Sequence, residues 1–200
     1  MGTERWYIAL PNDSEILRRA VVDADYGEFL GLPFWIDEPP PLAGRDPTAT
    51  NFLADVAALK ARYPGLASWA YTLDRQYDAI EYLLSPARRD ETDDPDHWGT
   101  RAVRGSHPLP ESVRGGQGHP SRHSTAADVR AIAVELERLT LDDLLLAYDP
   151  AGMVAEDVYK FRQQSGDPAM FGLLVAYFGH FRDFYRSLAR EGLGLVAVVT

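Results

Sequence analysis

The chain contains no cysteine. Disulfides, thiolate zinc sites and cysteine nucleophiles are excluded together, and a reducing compartment becomes the expected setting. Long apolar runs are missing too: none approaches the length of about eighteen residues that a membrane helix needs. The first ten residues, MGTERWYIAL, carry charges where a signal peptide requires an uninterrupted apolar stretch. The expectation is a soluble, cytoplasmic protein with no membrane partner. Positive charge is also scarce. Twenty basic residues, eighteen of them arginine, face thirty acidic ones, for a net charge of −10. Such a field repels phosphate backbones, so nucleic acid is not an expected partner.

What is present is an ordinary globular composition, 46% hydrophobic and 25% charged over 200 residues, which suits a single domain spanning 1–200. Trp6 to Leu10 is aromatic and β-branched and reads as a strand closed by Pro11-Asn12-Asp13. Ile16, Leu17, Ala20, Val21 and Ala24 then recur at helical spacing behind Asn12, Asp13 and Ser14, any of which can cap the first turn. Five prolines within residues 31–50 rule out a continuous helix there and mark an insertion anchored by Phe34 and Trp35. Thr50 or Asn51 opens the next helix, through Tyr63, and Leu73, Tyr77, Ile80 and Leu84 share a face of another that ends at Ser85-Pro86.

Residues 87–123 show little period and read as a long loop with at most a short helix. The spacings Thr125-x-x-Asp128 and Thr140-x-x-Asp143 are capping boxes ahead of two helices. A helix is expected around Val154 to Gln163. An aromatic stripe from Met170 to Leu188 makes the longest helix, with Gly192 at its C-terminal cap, and Leu195 to Val199 is a buried strand. Strands at both ends with helices between predict a mostly helical α+β fold packed around a small sheet that includes the N-terminal and C-terminal strands.

Residues 97–125 hold four of the five histidines, and their four arginines against Glu111 give this stretch a net charge of +3. Only His119 and His123 approach ligand spacing, and Pro120 between them breaks the helical face a zinc pair needs, so no metal is expected. The acidic run DETDDPD lacks the glycine and glutamate of a calcium loop. There is no nucleophile elbow, and Gly115-Gly116-Gln117-Gly118 follows no strand and lacks a phosphate loop's lysine, so no cofactor is implied. Candidate catalytic groups are His107, His119 and Glu81. Candidate binding residues are Arg101, Arg104, Arg122, Asp74 and Tyr77. Asp74 with Asp78, and Asp78 with Glu81, stand at i,i+4 and i,i+3 and so share a helix face, where salt bridges to Arg101 or Arg104 are the simplest use.

Three segments match a known pattern in order. Leu73-Asp74-Arg75-Gln76-Tyr77-Asp78-Ala79-Ile80-Glu81-Tyr82-Leu83-Leu84 is similar to a helix written L-D-K-x-W-x-x-L-H-x-L-L. Arg101-Ala102-Val103-Arg104-Gly105 with Leu109 is similar to a loop A-V-x-G-x-x-x-L, and Arg190-Glu191-Gly192 closes an aromatic helix before a terminal strand. Together they resemble the YfbM-like family, a bacterial family classed as a domain of unknown function. Glu81 stands where that family shows histidine, Tyr77 where it shows tryptophan, Ser85-Pro86 where it shows Thr-Gly and Lys160 where it shows proline. The resemblance implies helices around a small sheet and carries no activity with it.

The functional expectation is therefore a non-enzymatic module that binds a protein partner, its acidic body complementing a basic surface, as an immunity or antitoxin-like protein would. The alternative is a small hydrolase or anion-binding enzyme centred on Arg101, Arg104, His119 and Arg122. Oligomeric state is not legible.

Overall fold

A computed structural model describes residues 3–31, 46–66, 68–85, 94–111, 113–115, 118–163 and 166–200. The first and last strands, β1 (Arg5–Leu10) and β5 (Gly194–Val199), pair antiparallel along their whole length, with Tyr7 opposite Ala197 and Ile8 opposite Val196. β2 (Ala70–Thr72) flanks β1. On the other side β4 (Arg122–Ser124) flanks β5 and β3 (His107–Pro108) closes the edge, giving the order β2-β1-β5-β4-β3 with every pair antiparallel.

Alternate residues of a strand point to opposite faces, and here both faces are covered. Ile8, Leu10, Val196 and Val198 pack against α1 (Glu15–Val22), α2 (Ala24–Leu30) and α3 (Pro47–Arg62), around Ile16, Leu30 and Phe52. Tyr7, Ala9, Leu195 and Ala197 face the larger layer. That layer contains α4 (Tyr77–Leu84), α5 (Trp98–Arg104), α6 (Ala126–Arg138), α7 (Leu141–Ala147), α8 (Pro150–Ala155) and α9 (Met170–Glu191). Double coverage explains why β1 and β5 read as nearly continuous apolar runs instead of alternating ones. The fold is α+β, with nine helices and one five-stranded sheet among the described residues.

Local chemistry fixes most helix ends where expected. Thr125 and Thr140 each accept from the backbone of Asp128 and Asp143 while those carboxylates return the bond. Gly192 takes the left-handed conformation, φ 69°, at the end of α9. Ser14, of the three candidates, caps α1.

Elsewhere the structure departs from the sequence pattern. Asp23 adopts an extended conformation and caps Tyr26, so the expected single helix becomes α1 and α2. Helix α3 begins at Pro47, not Thr50, because Asp46 caps it and proline is tolerated at the first helical position. The helix expected over Val154–Gln163 stops at Ala155. Asp157 and Lys160 adopt positive φ, and a 3-10 turn at Phe161–Gln163 follows; this path buries both Val158 and Phe161. The stretch 87–123 is more ordered than expected, contributing α5, β3 and β4. Phe34, Trp35 and the acids Asp90, Glu91 and Asp93 lie outside the described residues.

Candidate functional site

The site begins with a row across the sheet. Tyr7 of β1 lies opposite Ala197 of β5, and Ala197 lies opposite Arg122 of β4. Cross-strand partners share a face, and Arg5, two residues before Tyr7, joins them. Over this row, with alanine as its smallest member, sits the C-terminal end of α5.

The last carbonyls of a helix have no intrahelical donor, and a buried helix end must find donors elsewhere. Each is supplied here by a different element. Ala102 O accepts from Tyr185 Oη of α9 at 2.7 Å. Val103 O accepts from Tyr7 Oη at 2.8 Å and from Arg5 Nη1 at 3.2 Å. Beyond the helix, Arg122 donates from Nε to Gly105 O at 2.9 Å and from Nη2 to Ser106 O at 3.0 Å. Gly105 is required at that bend: its φ is 89°, and a Cβ would lie 2.9 Å from the Cβ of Arg122. Placing cations at the negative end of a helix is also favourable.

Arg104, the last residue of α5, turns back to Glu81 of α4. Nε donates to Oε2 at 3.0 Å, and Nη2 lies 2.7 Å from Oε1 but off the line a hydrogen bond would need. The Glu81 side chain is 3% exposed and that of Arg104 41%. Burial pushes the Glu81 carboxyl above its ordinary value, against the opposing pull of Arg104 and Arg5. Burial likewise lowers the pKa of Arg122, and the positive charges of Arg104 and Arg5 lower it further.

The strip continues along α4 and the turn before it. Arg5 lies over the Tyr77 ring, 5.1 Å from its centroid, and Tyr77 stacks on Tyr159 at 5.7 Å. Tyr159 N donates to Asp78 Oδ2 at 2.8 Å. Asp74, at φ 48°, accepts from Tyr177 Oη. Asp74, Tyr77, Glu81, Arg104 and Arg122 thus follow one path, from the turn ahead of α4 along that helix to the end of α5 and to β4, where the charge of Arg104 acts on Arg122.

Arg101 and His107 do not. They belong to a second cluster on Asp128 of α6, whose Oδ1 pairs with Arg101 and whose Oδ2 lies 2.9 Å from His107 Nε2. The His107 ring faces that of His123 across the β3–β4 pair, 5.3 Å between centroids. His119 is exposed and sits farther along the excursion that joins β3 to β4, where its carbonyl accepts from Gly115 N. Among the described residues no three histidine, aspartate or glutamate side chains converge as metal ligands would, and no helix is long and apolar enough to cross a membrane.

Arg5 is the member of the site that motif reasoning passed over. A lone arginine at a strand start gives little signal, although its i,i+2 relation to Tyr7 does place both on one face.

Comparison with known proteins agrees on the fold. A family described as "Domain of unknown function (DUF1877)" matches residues 46–198. Among solved structures, the protein of unknown function YfbM from Escherichia coli superposes with a TM-score of 0.58 at 13% identity, covering 98% of this chain and 99% of that one. No curated protein matches.

Proposed function

The chain belongs to the DUF1877 family, whose description assigns no activity, and from its own surface we propose that it acts by binding a basic protein partner, not by catalysis. The observation that carries this is α7. Leu144 is buried, whereas Leu141, Leu145 and Leu146 on the same seven-residue helix are 56%, 55% and 88% exposed. Exposed leucines one at a time are unremarkable; three on two turns form the apolar centre of a contact patch.

Acids dominate the chain that forms and follows the patch, with Arg182 of α9 the basic side chain that shares a groove with Leu141. From Leu141 to Asp157 the chain carries Asp142, Asp143, Asp149, Glu156 and Asp157 and no lysine or arginine. An apolar centre with an acidic rim complements a partner that presents apolar side chains among lysines and arginines, and the rim speeds encounter and rejects acidic competitors. Masking a basic effector, as an immunity or antitoxin-like protein does, is a use that suits this chemistry.

The test places a photo-crosslinking residue at position 146 in the full chain, expressed in its own cells. The crosslinked protein is then purified and titrated against the wild type and against Leu145→Asp and Leu146→Asp variants. A basic partner whose binding weakens with salt and is lost in both variants is the expected result. Absence of any crosslink at 146, or a partner that binds the variants as well as wild type, overturns the reading.

A further inference from the structure

We propose that the groove between α6 and α9 receives α7 of a second copy of this chain, each copy seating its helix on the other. The proposal rests on the reading of α7 as a contact patch and adds what covers that patch when no basic partner is bound. The groove has a volume of about 510 Å³. On α6 it is lined by Arg130, Ala133, Val134 and Arg138, whose helical spacing puts them on one stripe, and on α9 by Arg186 and Ala189. The alanines of the two helices leave the space between them unfilled, and Val134 beside it is 49% exposed.

Helix α7 supplies the side chains that such a groove lacks. Asp142, Leu145 and Leu146 stand at i, i+3 and i+4 and share an outward face, whereas Leu144 is buried and fixes the other face in the core. Helices pack when side chains of one enter a groove on another, and alanines at 133 and 189 leave room for leucine. The chain's own α7 does not fill the groove: it follows α6 after Leu139 and Thr140 and is held by Leu144 against its own core. A second copy brings the same helix without that tether. Seven large apolar side chains are strongly exposed among the described residues, and four of them, Val134, Leu141, Leu145 and Leu146, belong to these two adjoining helices. A reciprocal contact withdraws all four from water on both copies.

Charge matches the two sides. On the receiving side Arg138 is held by Glu135, and Arg186 by Glu137 and Asp183, which leaves Arg130 exposed and without an ion pair among the described residues. The inserted side carries Asp142, equally exposed and equally without an ion pair among the described residues. One open cation on the groove thus answers one open anion on the helix, and the pairs already formed stay as they are. The layout suits an exchange. Leu139 and Thr140 are all that separates Arg138, the last residue of α6, from Leu141, the first of α7. In a two-fold interface residue i meets j and j meets i, so an axis passing near Thr140 forms both seats together.

Sedimentation velocity of the full chain over a range of concentrations tests this, in about 0.15 M salt, where repulsion between two acidic bodies is screened beyond about 8 Å. Wild type should pass from monomer to dimer as concentration rises. Val134→Asp in the groove and Leu145→Asp on α7 should each weaken the dimer by about tenfold or more, because either places a carboxylate in an apolar seat. Arg130→Glu, exposed and outside the core, should weaken it too, and decides the part of the groove if Val134→Asp fails to fold. A photo-crosslinking residue at 146 in the purified chain should attach to residues 126–138 or 182–190 of a second copy. A wild type that stays monomeric overturns the proposal, as does a dimer that keeps its strength in Leu145→Asp or Arg130→Glu, or a crosslink that joins α7 to α7. A monomeric wild type would leave a crosslink to a basic protein in cells untouched as evidence, so the two readings fail separately.

Discussion

Glu81 on α4 and Arg104 at the end of α5 meet as a buried carboxylate and a half-exposed guanidinium, Nε to Oε2 at 3.0 Å. The pair fastens α5 to α4 at the point where α5 delivers its carbonyls to Tyr7, Tyr185 and Arg5. Removing either partner is not symmetrical. Arg104→Ala strands a carboxylate that is 3% exposed, and an uncompensated buried charge of this kind costs about 3 kcal/mol or more. Glu81→Gln leaves a neutral group that still accepts from Arg104. Urea denaturation at neutral pH should therefore show the arginine variant much the less stable; equal losses would mean that Glu81 is not held as a buried anion.

The same carboxyl sets a pH dependence. Burial raises its folded-state value above the ordinary 4.5, so the folded protein takes up the proton more readily than the unfolded chain does. The sign follows: the folded state is favoured below the ordinary value, and that advantage is lost as pH rises from 4.5 through the raised folded value. Wild type should accordingly lose ground to Glu81→Gln across that interval and not below it. Denaturation midpoints of the two proteins measured across the range check this, and a difference that does not grow with pH would count against it.

Gly99 carries a steric prediction. It lies in α5 where that helix crosses the end of α4, and a Cβ there would stand 2.2 Å from the carbonyl oxygen and 2.6 Å from the carbonyl carbon of Leu84. Backbone cannot rotate aside as a side chain can, so α5 has to move off α4. Alanine normally favours a helix by about 1 kcal/mol over glycine. Here Gly99→Ala should instead destabilise, by about 2 kcal/mol or more as overpacking does, and carry Arg104 away from Glu81. Thermal melting reads the first effect.

Much of this frame was legible, and the limit has a physical cause. Capping boxes at Thr125 and Thr140, the left-handed Gly192 and the apolar runs of β1 and β5 are local signals, each decided by residues within four or five positions. The pair Tyr77 and Glu81 was visible for the same reason, since i,i+4 spacing puts both on one side of α4, whereas Asp74 stands ahead of that helix in a 3-10 turn at positive φ and helical spacing does not place it. What local signals do not carry is which distant residue completes the site. Arg5 reaches Val103 across 98 positions of sequence, and Arg101 pairs with Asp128 of α6 and not with the acids of α4. Strands of two and three residues, β3 and β4, are too short to show a period, yet β4 delivers Arg122.

Helix α7 offers an internal comparison. Leu144 is 2% exposed and Leu146 88%. Leu144→Ala removes buried methyl groups and should cost about 2–5 kcal/mol, whereas Leu146→Asp should stay within about 0.5 kcal/mol of wild type. Guanidinium denaturation of the two variants distinguishes a leucine that supports the core from one that only faces outward. A large loss in Leu146→Asp would remove the argument that this side chain is kept for contact.

Asp128 gathers Thr125 N at 2.9 Å, Thr125 Oγ1 at 2.6 Å, His107 Nε2 at 2.9 Å and the guanidinium of Arg101. Burial alone would raise its carboxyl, but the Thr125 hydroxyl and backbone, with His107, outweigh it and hold the value below the ordinary 3.8. A depressed carboxyl contributes stability that is fully present above 3.8 and lost as pH falls through the folded value. Thr125→Ala removes one of those donors and the cap, at a cost of about 1 kcal/mol at neutral pH. Because part of that cost is tied to the ionised carboxylate, the gap between variant and wild type should shrink as Asp128 protonates, while pH falls from 3.8 through the lowered folded value. Urea unfolding at several acidic pH values reads the gap directly. A gap that stays constant into acid would mean that Thr125 stabilises α6 through its own backbone bond alone, with the Asp128 charge contributing nothing to the cap.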